Sequence, residues 1–329
     1  MDSLTQAVLG AGVAGAVAPA GQRRKALLAG AALGTLPDLD VLIDYGGAVE
    51  NFTYHRGFSH SLLVLVPVSW LLWLGLLRLW APARDAPLRW LAAISLALIT
   101  HPLLDAHTAY GTQLWWPLQV PPAMWSTVFI IDPLFTLPLL VATIVAAFHP
   151  ARKWSTSLLR GAVALSGVYL AWSWLAQATV HRHAQDVLAT MNLQNAPVFI
   201  TPTPFNTVLW RIVVQTEDGY LEGFDSLLLD EPTIDFNAYR SDRDALDAAS
   251  DVWAVARLRW FSSDFLKAQV SNGRLLLSDL RMGQEPFYVF THVVAEHGNP
   301  HWREIQTELM PVRYDRDLLI ESLQRIWTH

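Results

Sequence analysis

Side chains able to hold a divalent metal gather in two short stretches of an otherwise apolar chain. Asp38, Asp40, His55 and His60 fall within PDLDVLIDYGGAVENFTYHRGFSHS, and His101, Asp105 and His107 within HPLLDAH. Imidazole and carboxylate groups in such numbers point to a site for zinc or manganese. With no cysteine anywhere in the sequence, thiolate metal sites, iron–sulfur clusters and disulfides are excluded. Any metal must therefore be held by His, Asp or Glu.

The spacings sort these residues. His101 and Asp105 stand at i and i+4 and share one face of a helix. Asp38 and Asp40 stand at i and i+2, which do not converge on a regular helix, so the pair fits a helix end opened by Pro37. His55 and His60 flank Arg56, Gly57 and Ser59 at a turn-like helix start. Asp132, just before Pro133, can cap a helix or act as a ligand. Arg56 is the one basic residue near either stretch, which suits an anionic group such as a phosphate as well as a pairing with Asp44 or Glu50. Ser59 and Ser61 flank His60, but sequence neighbours alone do not make a nucleophile and base.

Each residue also has an ordinary reading as a solvated helix cap. That reading covers Asp44, Glu50, His149, His181, His183 and His329; His292, His297 and His301 read as surface residues, and His107 stays open between the two. For the two stretches the ligand reading prevails, because several polar residues would otherwise have to arise independently on the same side of a membrane.

The elements that must position this set are membrane helices. Of 329 residues, 52% are hydrophobic and 16% charged, where a soluble domain carries about 25% charged residues. A net charge of −6 gives no basic footprint for nucleic acid. The first charge after Asp2 is Arg23, so the N-terminus lacks the basic region of a secretory signal and reads as a retained helix. A span needs roughly 20 apolar residues, and six stretches approach this: about 3–20, 26–43, 61–80, 88–104, 132–148 and 157–178. The first two are rich in Ala and Gly, which predicts a tight hairpin with close backbone approach and a turn at Ala20–Arg24.

Loops 21–25, 78–89 and 149–160 hold nine basic residues, against Arg56 alone in 44–60 and 105–131. The positive-inside rule then places the basic loops in the cytoplasm and both His/Asp loops on the outer face. Trp115, Trp116 and Trp125 read as interfacial anchors. From about 179 the sequence turns to β-rich runs at 197–205, 207–215, 265–280 (turning at Asn272 and Gly273) and 287–295, with helical patterns at 239–263 and over the last dozen residues. The expected architecture is mostly α: a polytopic bundle of about six helices carrying the metal site (1–178), followed by an extracytoplasmic α+β domain (179–329).

The segments MDSLTQAVLG, GTLPDLDVLID, HRGFSHSLL, HPLLDAHTAYGTQLWWP and FIIDPLFTLPLL resemble the membrane-bound metal-dependent hydrolase family of bacterial inner membranes, also described as LexA-binding, inner-membrane-associated hydrolases. The resemblance covers about the first 180 residues, and TPTPFNTVLWR and EDGYLEGFDSLL look like the C-terminal domain of one of its branches. It implies functional positions at Asp38, Asp40, His55, His60, His101, Asp105 and Asp132. Where many relatives carry His after the MDxxT opening, this chain has Gln6, a poor zinc ligand, so a metal is weakened there or Gln6 serves as a hydrogen-bonding group behind the ligands. The order Asp, His, HxxxD is also similar to zinc-dependent phospholipase C and to single-strand nucleases of the P1 type, which cleave phosphate esters.

These readings converge on a hydrolase of the inner membrane with a divalent metal, zinc or alternatively manganese. Asp38, Asp40, His55, His60, His101 and Asp105 are the expected ligands, His60 and Asp132 the candidate general bases, and Arg56 the group that steadies developing charge. The location favours a phosphoester on a membrane lipid or lipid-linked substrate. The alternatives are an ion or proton transporter using the same residues and a metal-stabilised scaffold.

Overall fold

The computed structural model describes residues 1–229, 234–299, 301–311 and 325–327. About half of the chain is helical, and the chain divides into two compact units. The first comprises Met1–Ile43 and Arg56–Ser173, the second Asp44–His55 and Trp174–His329. The expected boundary near 178 thus falls at 173/174. The segment 44–55, expected to be a membrane loop, belongs to the second unit.

In the first unit, α1 (Ser3–Val17) and α2 (Arg23–Thr35) form the expected hairpin around a 3₁₀ turn at Ala20–Gln22. A Cβ on Gly10 would lie 2.2 Å from the Gly30 carbonyl oxygen, one on Gly30 2.3 Å from the Gly10 oxygen, and one on Gly34 2.5 Å from the Gln6 oxygen. Only glycine permits this approach, and Gly30 and Gly34 have the GxxxG spacing that produces it. Being apolar all round, α1 is buried along almost its whole length, as such a helix must be. Val8, Leu9, Ala11 and Val13 share a core with Phe135, Leu139 and Leu159.

The expected span at 26–43 does not form. α2 stops at Thr35 and the chain enters a 3₁₀ turn at Pro37–Leu42, where proline supplies no N–H to continue the α-helical ladder. After the short α3 (Ala48–Tyr54), which lies in the second unit, come α4 (Leu62–Leu79), α5 (Pro87–Ala106), α6 (Pro133–Phe148) and α7 (Lys153–Thr190). Among the described residues three helices are long and apolar enough to cross a membrane: α4, α5 and α7; α1 and α6 are apolar but shorter. This is half of the six spans expected. At about 1.5 Å per residue, α7 far exceeds the roughly 30 Å hydrocarbon core, and residues from Trp174 onward belong to the second unit.

There, Ala176, Val180, Ala184 and Leu188 recur every four residues and pack against Ile200, Trp210, Ile212 and Val214. The second unit holds two four-stranded antiparallel sheets. One has the order β1 (Val198–Pro202), β2 (Leu209–Thr216), β3 (Gly219–Ser226), β4 (Asn237–Arg240). Then follow α8 (Arg243–Ala248) and α9 (Trp253–Ser262), so the helix expected at 239–263 is broken in two and opens as a strand. β5 (Leu266–Ser271) and β6 (Arg274–Asp279) turn through Asn272 and Gly273, both at positive φ, as the sequence indicates. A two-residue ribbon (β7, Gly283–Gln284; β8, Phe287–Tyr288) precedes β9 (Thr291–His297) and β10 (Trp302–Leu309), which complete the second sheet in the order β10-β9-β6-β5. The helix expected over the last dozen residues, and His329, lie outside the described residues apart from 325–327.

Candidate metal centre

The centre lies wholly within the first unit and is assembled from three places. Asp38 sits on the 3₁₀ turn after α2, His60 on a 3₁₀ turn (Phe58–His60) that leads into α4, and His101 and Asp105 on one face of α5. One ligand atom from each comes within 4.8 Å of the other three. His60 Nε2 is 3.3 Å from Asp38 Oδ1 and 3.1 Å from Asp105 Oδ2. His101 Nε2 is 3.4 Å from Asp38 Oδ1, 3.3 Å from Asp105 Oδ2 and 3.0 Å from His60 Nε2. Tetrahedral ligands at about 2 Å from zinc are separated by roughly 3.3 Å, so these spacings fit a single ion. His60, His101 and Asp105 are fully buried, and the Asp38 side chain is 20% exposed.

The surrounding hydrogen bonds fix what each ligand atom can do. His101 Nδ1 faces the Gly34 carbonyl oxygen at 2.6 Å; a carbonyl only accepts, so Nδ1 carries the proton and Nε2 presents a lone pair. Ser59 Oγ donates to Asp40 Oδ2 at 2.5 Å and faces His60 Nδ1 at 2.9 Å, which assigns the same tautomer to His60. Asp105 Oδ1 accepts from Gln6 Nε2 at 3.0 Å and from the α-amino group of Met1, and lies 3.4 Å from Arg56 Nη2. Asp105 Oδ2 is buried without a hydrogen-bond donor. Two imidazole nitrogens and two carboxylate oxygens thus converge, with the outward-facing ring nitrogens held by neighbouring groups, an arrangement that could hold a cation. The group of two nitrogens and two oxygens could hold a divalent metal ion.

Four of the six expected ligands come together. Asp40 does not join them: it is buried behind His60, accepts the Arg56 N–H at 3.0 Å and the Ser59 hydroxyl, and lies 3.8 Å from His60 Nδ1. A 3₁₀ turn has three residues per turn, so positions i and i+2 diverge and only Asp38 faces the centre. His55 ends α3 in the second unit and lies outside the group.

Asp132 also lies outside the group. Its Oδ1 caps α6 through the N–H groups of Leu134 and Phe135, and its Oδ2 accepts from Tyr169 at 2.7 Å. The carboxylate is engaged as a helix cap and by Tyr169. Arg56 is buried with φ +61°, near Asp105, 3.2 Å from Thr108 Oγ1 and over the Tyr110 ring at 4.8 Å. His107, buried, bonds Thr127 Oγ1 through Nδ1 at 2.7 Å. Gln6 faces the ligands from α1, as the hydrogen-bonding reading requires. Gly34 was not foreseen as a ligand-orienting group; its signal was the GxxxG spacing.

In the second unit His292 is buried rather than at the surface. Its ring stacks on Phe290, its Nε2 has no hydrogen-bond partner, and burial pushes it down to about 4 against an opposing pull from Asp279.

The chain is 38% identical over 91 residues to the inner membrane protein YbcI of Escherichia coli (strain K12), covering 27% of this chain and 51% of that protein. It is 25% identical over 193 residues to the uncharacterized protein YfhP of Bacillus subtilis (strain 168), covering 57% of this chain and 54% of that one. The chain therefore spans about half the length of the curated relatives it matches. No solved structure matches. Residues 1–180, which contain every ligand of the centre, match the model of the YdjM inner membrane proteins, and the chain belongs to that family.

Proposed function

We propose that this chain is a membrane-bound metal-dependent hydrolase acting on a phosphoester, on a lipid or lipid-linked substrate, at the outer face of the inner membrane. The observation that supports it is the convergence of His60 Nε2, His101 Nε2, Asp38 Oδ1 and Asp105 Oδ2, which all lie within 4.8 Å of one another. When bound there, a zinc or manganese ion supplies Lewis-acid polarisation of a substrate oxygen and a water of lowered pKa. Asp38, the one partly exposed ligand, marks the side from which substrate arrives. Arg56, 3.4 Å from Asp105 Oδ1, adds positive charge near an anionic group. His60 acts as a ligand rather than a base, since its Nε2 is committed to the centre and its Nδ1 to Ser59.

The outer-face orientation rests on the basic loops of the sequence, and reporter fusions at Gly47 and Phe205 should read as extracytoplasmic. Activity is tested by metal analysis of the purified protein and by assay on phospholipids and generic phosphodiesters. Wild type should hold zinc or manganese and turn over one of these substrates, and His101→Ala should abolish both. Metal content without hydrolysis of any phosphoester would favour the scaffold reading.

A further inference from the structure

The ligands Asp38 and His60 belong to the first unit, but the chain between them leaves it: Asp44–His55 is part of the second unit. We infer that the second unit sets the metal centre through this segment, with Arg257 as the positioning residue that grips it; the inference rests on the cation-binding reading above.

The grip is specific. Arg257 Nε donates to Thr53 Oγ1 at 3.0 Å and its Nη2 to the Thr53 carbonyl at 3.2 Å, while its guanidinium covers the Tyr54 ring at 4.7 Å. The Phe52 ring meets Phe261 at 5.0 Å, Phe290 at 4.5 Å and His292 at 5.1 Å. The Val49 N–H donates to Thr307 Oγ1 of β10 at 3.1 Å. Val49, Phe52 and Thr53 are buried.

Short tethers lead from this segment to the ligands. Asp38 lies five residues before Ile43 along the 3₁₀ turn, roughly 10 Å at 2 Å per residue. His60 lies five residues after His55, no more than about 17 Å even if extended. At the base, the Arg56 N–H binds Asp40 Oδ2, and Asp40 in turn holds Ser59, the partner of His60. A shift of the gripped segment therefore reaches both ligand arms together.

Arg257→Ala tests this against Arg259→Ala. Arg259 lies on the same helix but pairs with Asp247 and Asp264, not with 44–55. Arg257→Ala should raise the Kd for zinc or manganese roughly tenfold, as a change behind the ligands does, and Arg259→Ala by about twofold or less. In the metal-free protein, Arg257→Ala should also accelerate amide hydrogen exchange at residues 38–42 and at Phe58–His60. Equal shifts in Kd for the two variants, or faster exchange confined to Asp44–His55, would overturn the inference. If wild type binds neither metal, the cation reading fails by itself and the exchange pattern alone decides the coupling.

Discussion

His60 Nε2 and His101 Nε2 face each other at 3.0 Å across the centre, each with its other ring nitrogen tied to a group that turns the lone pair inward. Two acceptors at this distance repel unless a cation or a proton lies between them. The orienting groups therefore prepare the site as much as the ligands do.

For His60 the orienting group is Ser59, which relays Asp40 to Nδ1. Ser59→Ala should free the ring and weaken zinc binding by about tenfold, within the range of changes behind metal ligands. Isothermal titration checks this, and an unchanged affinity would show that the relay is not needed.

On the opposite side, Gln6 donates to Asp105 Oδ1 while its own Oε1 is buried without a partner. Gln6→His places a stronger ligand type there and should raise metal content. Gln6→Ala removes the donor and should lower affinity roughly tenfold. Elemental analysis of the two purified variants decides; if neither differs from wild type, α1 contributes nothing to the site.

The packing of α1 on α2 supports the same centre, because Gly34, whose carbonyl orients His101, lies in close contact with α1. A Cβ at Gly34 would approach the Gln6 oxygen to 2.5 Å. Gly34→Ala should therefore cost about 1–3 kcal/mol of stability through overpacking. Thermal unfolding with bound metal measured in parallel should show both falling together.

In the second unit, burial holds the folded His292 at about 4, below its ordinary value near 6.5. The unfolded chain binds this proton first, so the stabilisation is complete above about pH 6.5 and is lost as pH falls toward 4. The full effect is about 3 kcal/mol at 1.36 kcal/mol per pKa unit. Urea unfolding of this unit within the full chain at pH 7 and pH 5 should show it, and His292→Leu should flatten that dependence.

The sequence by itself determined much of the local structure and which residue types gather. The i, i+4 spacing of His101 and Asp105 put both on one helical face, the Ala/Gly-rich helices declared their close contact, and Asn272–Gly273 declared its hairpin. Each depends on backbone periodicity or on one residue's steric freedom, which neighbours in sequence reveal. Tertiary structure decided which polar residues come together. Asp38 and Asp40 are equivalent in sequence, and only the 3₁₀ turn after Pro37 sends one to the centre and the other behind His60. His55 looks like a ligand until the Arg257 grip takes its segment into the second unit, and Asp132 until Tyr169, 37 positions away, is seen to share its carboxylate. Likewise, an apolar run such as 26–43 reads as a span by composition, but where its helix stops depends on Pro37 and on the packing that follows. Selection among chemically equal groups rests on long-range contacts, and these appear only once the chain is folded.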